Sequence, residues 1–419
     1  MKDNKLTIVV GVVIGAAVLV GGFLAYGMIF GGGESPYDIS ATITMWGFDP
    51  EDAYSSAFAG FNSIYPNVKF EYRRFTDEER YDEVLLDAMA AGRGPDIFAV
   101  QNTDLARKAD KIFPLPVSMY TVQELRRDFP KTVENDFVKD GSVYALPPYV
   151  DTLALLYNRD LFNEAAVVFP PKTWQEVQDV TPQLTKYSGG GISQSAFALG
   201  GSENVENMKD VVSAMIFQRG GELIDEKYDD TLSYYVQFGQ ESSSVYTWDE
   251  SMGNSRDAFA AEEVAAVFDY ASGRDEIAGK APFVDIGVAK FPQIDGDGTG
   301  EATFARYWGY TVSRRSRYPR LAWSFIGMLT TDVNTAEQYL ARTGRPPALR
   351  SLINKYLSDE EIGIFARQAL IGYAWQEPDP VRVAAVFEDM VDSILAGERP
   401  RDAMRAARAE ISRLSQRNF

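Results

Sequence analysis

Polar and aromatic side chains follow two segments whose alternating apolar residues predict β-strands. Trp46 and Asp49 come at the end of the first segment, and Gln101, Asn102 and Asp104 follow a later one. Indole rings stack on the C–H face of a sugar, and planar polar groups hydrogen-bond its hydroxyls. The loops that follow strands form the ligand-binding edge of an open α/β sheet. These residues indicate a site for a polyhydroxylated ligand, with a core tryptophan and ordinary turn capping as the alternatives.

A dense aromatic group lies near residue 308. Tyr307, Trp308 and Tyr310 occupy three of the four positions from 307 to 310. Large aromatic faces of this kind stack on ligands, so we expect Trp308 and Tyr310 to line the site. Trp375 lies shortly before Pro378 and is a further candidate, with covering of a helix end as the alternative.

Ser202 and Glu203 are candidates without an aromatic ring. With Asn204 they follow an apolar segment that ends at Leu199, and they precede a segment with helical spacing. Side-chain oxygens at such positions accept hydrogen bonds from a ligand or from the free N–H groups of a helix start. Ligand contact and helix capping therefore both stay open.

The composition excludes most catalytic and nucleic-acid-binding functions. The 419 residues include no cysteine and no histidine, which removes thiolate nucleophiles, imidazole bases and the usual zinc ligands. A glycoside hydrolase needs two carboxylates across a cleft, and no pair stands out among 60 acidic residues. The stretch 295–298 lacks the spacing of a calcium loop. The formal charge of -19 repels nucleic acid, so we expect no nucleic-acid partner. From the missing residue types we also expect no enzyme activity, no cofactor and no metal.

The N-terminal segment predicts a membrane anchor. Residues 6–30 carry no charge, and at about 1.5 Å per residue a helix of this length crosses a ~30 Å hydrocarbon layer. Lys2 and Lys5 precede it, which places the tail in the cytoplasm. We expect residues 1–30 to form a cytoplasmic tail and transmembrane helix, and residues 31–38 a linker to an extracytoplasmic domain. A cleaved signal peptide is the alternative, although its apolar region would be only roughly 7–15 residues long.

Strand-like and helix-like periods alternate along the rest of the chain. Strands are predicted near 39–46, 68–72, 95–100, 196–199 and 284–291, and helices near 53–65, 78–91, 205–219, 321–330, 381–396 and 400–414. This alternation is typical of the α/β class. A chain of this length exceeds the size of a single hydrophobic core, which predicts two domains.

Three runs carry a resemblance to a known family. They are GSVYALP at 141–147, LLYNRDLF at 155–162 and PPKTWQEV at 170–177. In order and spacing they resemble the YALP, YYN-K-D-LF and PPTTW-E segments of the maltose-binding-protein-like group of extracellular solute-binding proteins. The resemblance covers residues 39–414. It implies a two-lobed, type II periplasmic-binding-protein-like fold that closes on a carbohydrate and delivers it to the permease subunits of an ABC importer.

The resemblance also implies domain boundaries and site residues. It predicts a first lobe of residues 39–147 plus 310–344 and a second lobe of 148–309 plus 345–419. It implies that Asp151 hydrogen-bonds the ligand and that the polar residues after the third predicted strand line the cleft. Tyr270 is similar to a position where relatives place a stacking aromatic ring, with a core tyrosine as the alternative.

The chain departs from maltodextrin binders at two places. It has no lysine in the loop after Trp46, and Ala384 and Ala385 stand where those proteins have an aromatic residue. We therefore expect a different di- or oligosaccharide. A surface sensor or adhesion module on the same fold, or binding of a non-sugar solute, is the alternative function. No phosphate-binding G-x-x-x-x-G-K-[ST] motif occurs, so transport would need a separate ATPase.

Overall fold

The structure, a computed structural model, describes residues 35–221, 224–295 and 300–417. The predicted tail and anchor, residues 1–30, lie outside these ranges, as do residues 31–34 of the predicted linker. Within the three described ranges, no helix is both long enough and apolar enough to cross a membrane.

Strands and helices alternate along the chain, which confirms the predicted α/β class. The strands are β1 (Ala41–Gly47), β2 (Val68–Arg74), β3 (Ile97–Gln101), β4 (Val138–Lys139), β5 (Ser142–Val143), β6 (Ala154–Asn158), β7 (Lys186–Ser188), β8 (Gly191–Phe197), β9 (Val264–Asp269), β10 (Ile286–Ala289), β11 (Thr303–Phe304), β12 (Trp308–Val312) and β13 (Gly372–Tyr373). The helices are α1 (Ser55–Ile64), α2 (Glu78–Ala90), α3 (Leu105–Lys108), α4 (Val122–Asp128), α5 (Lys131–Phe137), α6 (Arg159–Glu164), α7 (Trp174–Leu184), α8 (Met208–Gln218), α9 (Asp229–Val236), α10 (Ser255–Ala260), α11 (Ala271–Lys280), α12 (Pro319–Thr331), α13 (Val333–Thr343), α14 (Arg350–Tyr356), α15 (Gly363–Gln368), α16 (Pro380–Leu395) and α17 (Pro400–Arg417).

The first sheet has the strand order β12-β3-β1-β2, with β1, β2 and β3 parallel and β12 antiparallel at the edge. Ile43 and Met45 point from β1 into the core and are fully buried, as the alternation of the sequence predicts. Gln101, the last residue of β3, lies opposite Trp308, the first residue of β12. The carboxyl ends of β1 and β3 therefore lie beside the amino end of β12, and we call this end of the strands the sheet edge.

The second sheet has the order β10-β6-β9-β8-β7. β8 and β9 run parallel, whereas β6 is antiparallel to β9 and places Ala154 opposite Asp269. The carboxyl ends of β8 and β9 therefore lie beside the amino end of β6. The chain arrives from the first sheet at this same edge.

Two hydrophobic cores define two lobes, one around each sheet. Apart from Ala369, the first core is drawn from residues 41–150 and 305–353, and the second from 153–304 and 365–414. The chain passes between the lobes at 150–153 and 304–305, which we call the first and second crossovers, and again after residue 357. The predicted division differs, because it assigned residues 148–150, 305–309 and 345–353 to the second lobe.

Helix α14 accounts for most of this difference. Leu352 and Ile353 are buried in the first core, and Arg350 Nε donates to the Phe129 carbonyl at 2.8 Å. A helix of only seven residues has too short an apolar pattern to indicate which sheet it covers. The correct lobe is decided by these long-range contacts.

Gly200 approaches the opposing backbone too closely for any side chain. It has a φ of +90°, and a Cβ atom added there would lie 2.2 Å from the Gly239 nitrogen. The glycine therefore permits both an unusual backbone conformation and a close approach of two chain segments. It begins the loop that carries Ser202 and Glu203.

Gly200→Ala should lower the free energy of unfolding by roughly 2–6 kcal/mol, because left-handed strain and a steric clash each cost about 1–3 kcal/mol. Gly190→Ala is the matched control, since Gly190 has the same φ of +90° with no atom within 4 Å of the added Cβ. Calorimetric unfolding of both variants measures the difference. Equal losses would show that the Gly200–Gly239 approach does not matter.

Candidate functional site

The first and second crossovers lie side by side between the lobes. Thr152 and Ala305 form an antiparallel bridge, and the Arg306 N–H donates to the Asp151 carbonyl at 3.0 Å. On its other side the first crossover meets the segment 345–347, where Val150 N–H donates to the Pro346 carbonyl at 3.2 Å. We call this surface the floor of the cleft.

Asn102 holds the second crossover against the first sheet. Its side-chain nitrogen donates to Asp136 Oδ2 at 2.9 Å and to the Ala305 carbonyl at 3.0 Å. Its side-chain oxygen accepts from the Tyr307 N–H at 3.0 Å, and the residue is fully buried. These polar atoms already have partners, so Asn102 has a structural role in place of the predicted ligand contact.

The other two predicted residues after β3 differ from each other. Asp104 is buried and pairs with Lys108 and with Arg107 at 3.1 Å, which gives it a structural role within the first lobe. Burial raises the pKa of Asp104, and the two cations oppose this shift. Gln101 lies at the sheet edge, and its amide nitrogen is 3.4 Å from Oε2 of the exposed Glu78. Of the three, Gln101 is the residue that remains a candidate for ligand contact.

Asp151 caps helix α11 of the second lobe. Its Oδ1 accepts from the Ala271 N–H at 3.0 Å, its Oδ2 accepts from the Ser272 N–H at 3.2 Å, and only 1% of the residue is exposed. Burial raises the pKa of Asp151, while Arg345 and these N–H groups lower it. The ligand contact that the resemblance implied is therefore replaced by binding to a helix N-terminus, where a carboxylate is stabilised.

Arg345 lies between two buried carboxylates. Its Nη2 is 3.8 Å from Asp49 Oδ1 and its Nη1 is 3.9 Å from Asp151 Oδ2. The guanidinium also lies 5.0 Å from the centre of the Tyr149 ring. Asp49 in turn accepts a hydrogen bond from the Tyr339 hydroxyl at 2.5 Å, and the predicted ligand residue Asp49 is thus used inside the first lobe.

Trp308 and Phe48 form an aromatic surface at the edge of the first sheet. Their ring centres are 4.4 Å apart, and both residues are half-buried. Tyr81 supports them from below, with ring centres at 5.8 Å from Trp308 and 4.7 Å from Phe48. The predicted aromatic residue Trp308 therefore keeps part of its ring exposed at the end of β12, next to Gln101.

Two other predicted aromatic residues are covered. The Arg73 guanidinium lies 4.8 Å from the Trp46 ring centre, and Phe75 packs on the same ring at 5.3 Å. Tyr310 is 3% exposed, and its hydroxyl hydrogen-bonds the hydroxyl of Tyr54. Packing within the first lobe thus accounts for Tyr310, whereas Trp46 is half-buried and its ligand contact stays a prediction.

Tyr270 lies beneath a guanidinium. It is 1% exposed, and its hydroxyl donates to Asp210 Oδ2 at 2.7 Å. The Arg306 guanidinium lies 4.6 Å from its ring centre. In this arrangement the ring is buried and Arg306 lies over one of its faces, so the predicted stacking on a ligand would require Arg306 to move.

The segment 376–377 links the two lobes, and its Glu377 belongs to a buried ion cluster of the second lobe. Lys209 pairs with Asp210 at 2.9 Å and with Glu377. The Glu377 N–H donates to the Thr103 carbonyl at 2.7 Å, and Gln376 Nε2 donates to the Asn102 carbonyl at 2.7 Å. Chain that leads into the second lobe therefore bonds to the end of β3 in the first lobe.

The remaining predicted residues lie outside this group of contacts. Ser202 is half-buried and Glu203 is exposed, and neither caps α8, whose N-cap position is Asn207. Trp375 is half-buried and packs against the second core. Ligand contact by these three residues stays a prediction.

Sequence reasoning missed Phe48, Arg306, Lys209 and Glu377. Phe48 and Arg306 stand next to predicted residues, and their positions at a strand end and at a crossover were the available signals. Lys209 and Glu377 are far apart in sequence, so no local pattern joins them. Among the residues the structure describes, no cluster of acids suits a metal ion, and residues 296–298 of the rejected calcium-loop stretch lie outside those residues.

A family described as bacterial extracellular solute-binding protein matches residues 48–336. The chain belongs to this family. The resemblance inferred from the three sequence runs is confirmed. A maltotriose-binding protein of Pyrococcus abyssi is 23% identical over 387 residues, which cover 87% of this chain and 79% of that protein.

Solved structures of solute-binding proteins share the two-lobed fold. The sugar-binding protein MalE of Xanthomonas citri has a TM-score of 0.73 and 19% identity, with 90% of this chain and 98% of that chain covered. UgpB of Mycobacterium tuberculosis, solved with glycerophosphocholine, has the same TM-score of 0.73 and 17% identity, with 90% and 99% covered. The two-lobed, periplasmic-binding-protein-like fold that was predicted is thus confirmed for the described part of the chain.

Asp136, the acid that accepts from Asn102, carries the clearest pH signal. Burial raises its pKa to about 7, and hydrogen bonds from Tyr307 and Asn102 oppose the shift. A raised pKa means that the folded state keeps the proton longer than the unfolded chain does. Stability therefore falls as pH rises from about 4 to about 7, and above that range the loss is complete.

Asp136→Asn should remove this pH dependence. Between pH 4 and 7 the wild-type protein should lose up to about 4 kcal/mol more unfolding free energy than the variant, since one pKa unit corresponds to about 1.4 kcal/mol. Urea unfolding of both proteins across this pH range measures the difference. Parallel pH profiles would contradict the assignment.

Proposed function

We propose that the chain is a membrane-anchored, extracytoplasmic binding protein that captures a di- or oligosaccharide between its lobes and delivers it to an ABC importer. The observations that carry the proposal are the half-buried aromatic pair Trp308 and Phe48 and the partly exposed guanidinium of Arg306, which lies two residues before Trp308 in the chain. Sugars need both kinds of group, an apolar face for their C–H side and planar donors for their hydroxyls. Gln101 adds an amide at the same edge.

The relatives support this choice of ligand class. The maltotriose-binding relative covers most of the chain, and the MalE neighbour is also described as sugar-binding. The UgpB neighbour bound to glycerophosphocholine supports a non-sugar solute as the alternative. The aromatic pair favours the sugar, because a small polar headgroup would leave much of that apolar surface unused.

Capture requires that the lobes hold a ligand better when they are closed. A ligand that contacts Trp308 on the first lobe and a residue of the second lobe, such as the predicted Trp375, would favour the lobe arrangement that brings both within reach. The bonds of Gln376 and Glu377 to the first lobe would form part of that arrangement. No catalytic step is needed, and the proposed activity is binding alone.

The ligand can be identified by a thermal-shift screen of residues 35–419 against mono-, di- and oligosaccharides, with amino acids and glycerophosphodiesters alongside. A ligand at ~100 times its Kd should add about 2.7 kcal/mol to the stability of the protein. Trp308→Ala should then weaken binding by about 1–3 kcal/mol, the value of a large buried apolar side chain.

Phe283→Ala is the control for the Trp308 variant. Phe283 is 98% exposed and lies near the far end of β6, away from the crossovers. Its replacement should leave sugar affinity unchanged. If no sugar shifts the melting temperature of the wild-type protein, the carbohydrate assignment is wrong; if sugars bind and Trp308→Ala has no effect, only the stacking role is wrong.

The anchor is tested separately. Full-length protein expressed in a bacterium should sediment with membranes and resist extraction by carbonate, because an uncharged helix of residues 6–30 would remain inserted. Mass spectrometry of the mature protein should detect the peptide that begins at Met1 or Lys2. Recovery of a protein that lacks residues 1–30 would instead support a cleaved signal peptide.

A further inference from the structure

The position of Arg306 is fixed by hydrogen bonds of the backbone at residues 305–307. Its own N–H donates to Asp151, the preceding Ala305 carbonyl accepts from Asn102, and the following Tyr307 N–H donates to Asn102. Phe304 of the second core lies two residues before Arg306, and Ala305 and Tyr307 of the first core flank it directly. Arg306 therefore stands on the floor of the cleft and cannot shift without moving the second crossover.

The guanidinium of Arg306 has N–H groups that Asp210 does not bind. Its central carbon lies 4.6 Å from the centre of the Tyr270 ring, and 35% of the side chain is exposed. Its ion pair with Asp210 Oδ2 is 3.6 Å long, beyond hydrogen-bond range. Asp210 has closer partners, the Tyr270 hydroxyl at 2.7 Å and Lys209 Nζ at 2.9 Å. An arginine carries five N–H donors, and this acid does not consume them.

The charges around Arg306 favour a neutral ligand. Burial alone would lower the pKa of Arg306, but the acidic groups nearby, which include Asp210 and Glu78, raise it, so the cation is retained. Glu377 of the buried ion cluster also lies within electrostatic reach of Arg306. An anionic ligand would have to approach these carboxylates, whereas hydroxyl groups meet no such repulsion.

We propose that Arg306 is a ligand-binding and specificity residue, whose guanidinium, supported by Tyr270, donates hydrogen bonds to hydroxyls of a neutral oligosaccharide and leaves uronates disfavoured. This inference rests on the proposed function. Trp308 would then hold the apolar face of the same sugar, since only Tyr307 separates the two residues. The site combines one stacking surface with one planar donor.

Binding of maltotriose, or of the panel sugar with the lowest Kd, is measured by calorimetry for the wild type and for Arg306→Met. The variant should bind roughly 10- to 100-fold more weakly, the range of a charge-assisted hydrogen bond. Arg306→Lys keeps the charge and the Asp210 pair but lacks the planar fork, and it should also bind more weakly. It provides the test if the methionine variant does not fold.

Monodeoxy analogues of the same sugar separate direct contact from a structural effect. The analogue that lacks the hydroxyl bound by Arg306 should bind the wild type more weakly than the parent sugar does. In the Arg306 variant the analogue and the parent sugar should bind equally well, as in a double-mutant cycle. If every analogue loses the same factor in both proteins, Arg306 does not touch the ligand. The matching uronate should bind the wild type at least about tenfold more weakly than the neutral sugar, and equal or tighter binding would overturn the neutral class. Failure of the wild type to bind any sugar would overturn the proposed function itself.

Discussion

The fully bonded side chain of Asn102 is the constraint on which the cleft depends. A buried amide that leaves a donor or acceptor unpaired costs about 1–3 kcal/mol, so its environment must supply every partner at once. Here those partners are Asp136, the Ala305 carbonyl and the Tyr307 N–H. The amide thereby joins the end of β3 to the second crossover, and the exposed parts of Arg306 and Trp308 are oriented as a consequence.

The charged groups between the lobes are, like Asn102, bonded to partners within the protein. Asp151 uses its two oxygens on the N-terminus of α11, and Arg345 lies between Asp151 and Asp49 at distances near 4 Å. Charges removed from water must be paired, because an isolated buried ion is strongly destabilising. Asp49 and Asp151 were predicted to contact a ligand, but their carboxylates bond to groups within the protein and stabilise the segments between the lobes. The proposed ligand contacts therefore fall to side chains that keep free hydrogen-bond donors or a partly exposed surface.

The fold was largely predictable from the sequence, whereas the site was not. Alternation along Ile43 and Met45 and helical spacing in the segments after them predict elements that the structure contains. Short-range patterns report which face of an element is buried, and they do so well for strands of seven residues. They do not report what a polar side chain at a strand end will meet. Asn102 and Gln101 are neighbours with the same local signal, yet Asn102 is fully buried and bonded to the second crossover, whereas Gln101 is 9% exposed and bonds to Thr103 and to the exposed Glu78.

The difference between Tyr270 and Trp308 shows why a resemblance does not decide the site either. Both are aromatic residues at positions where a ligand could stack, but Tyr270 is 1% exposed with Arg306 over its ring, whereas Trp308 is half-buried and packs on Phe48 and Tyr81. A cation over a ring is stabilised by the ring's electron density, and the same contact closes that face to any ligand. The arginine then presents its donors in place of the ring. If Arg306 binds the ligand as proposed, this position supplies hydrogen-bond donors where a bare ring would supply a stacking face, and the two arrangements would distinguish different ligands on the same fold.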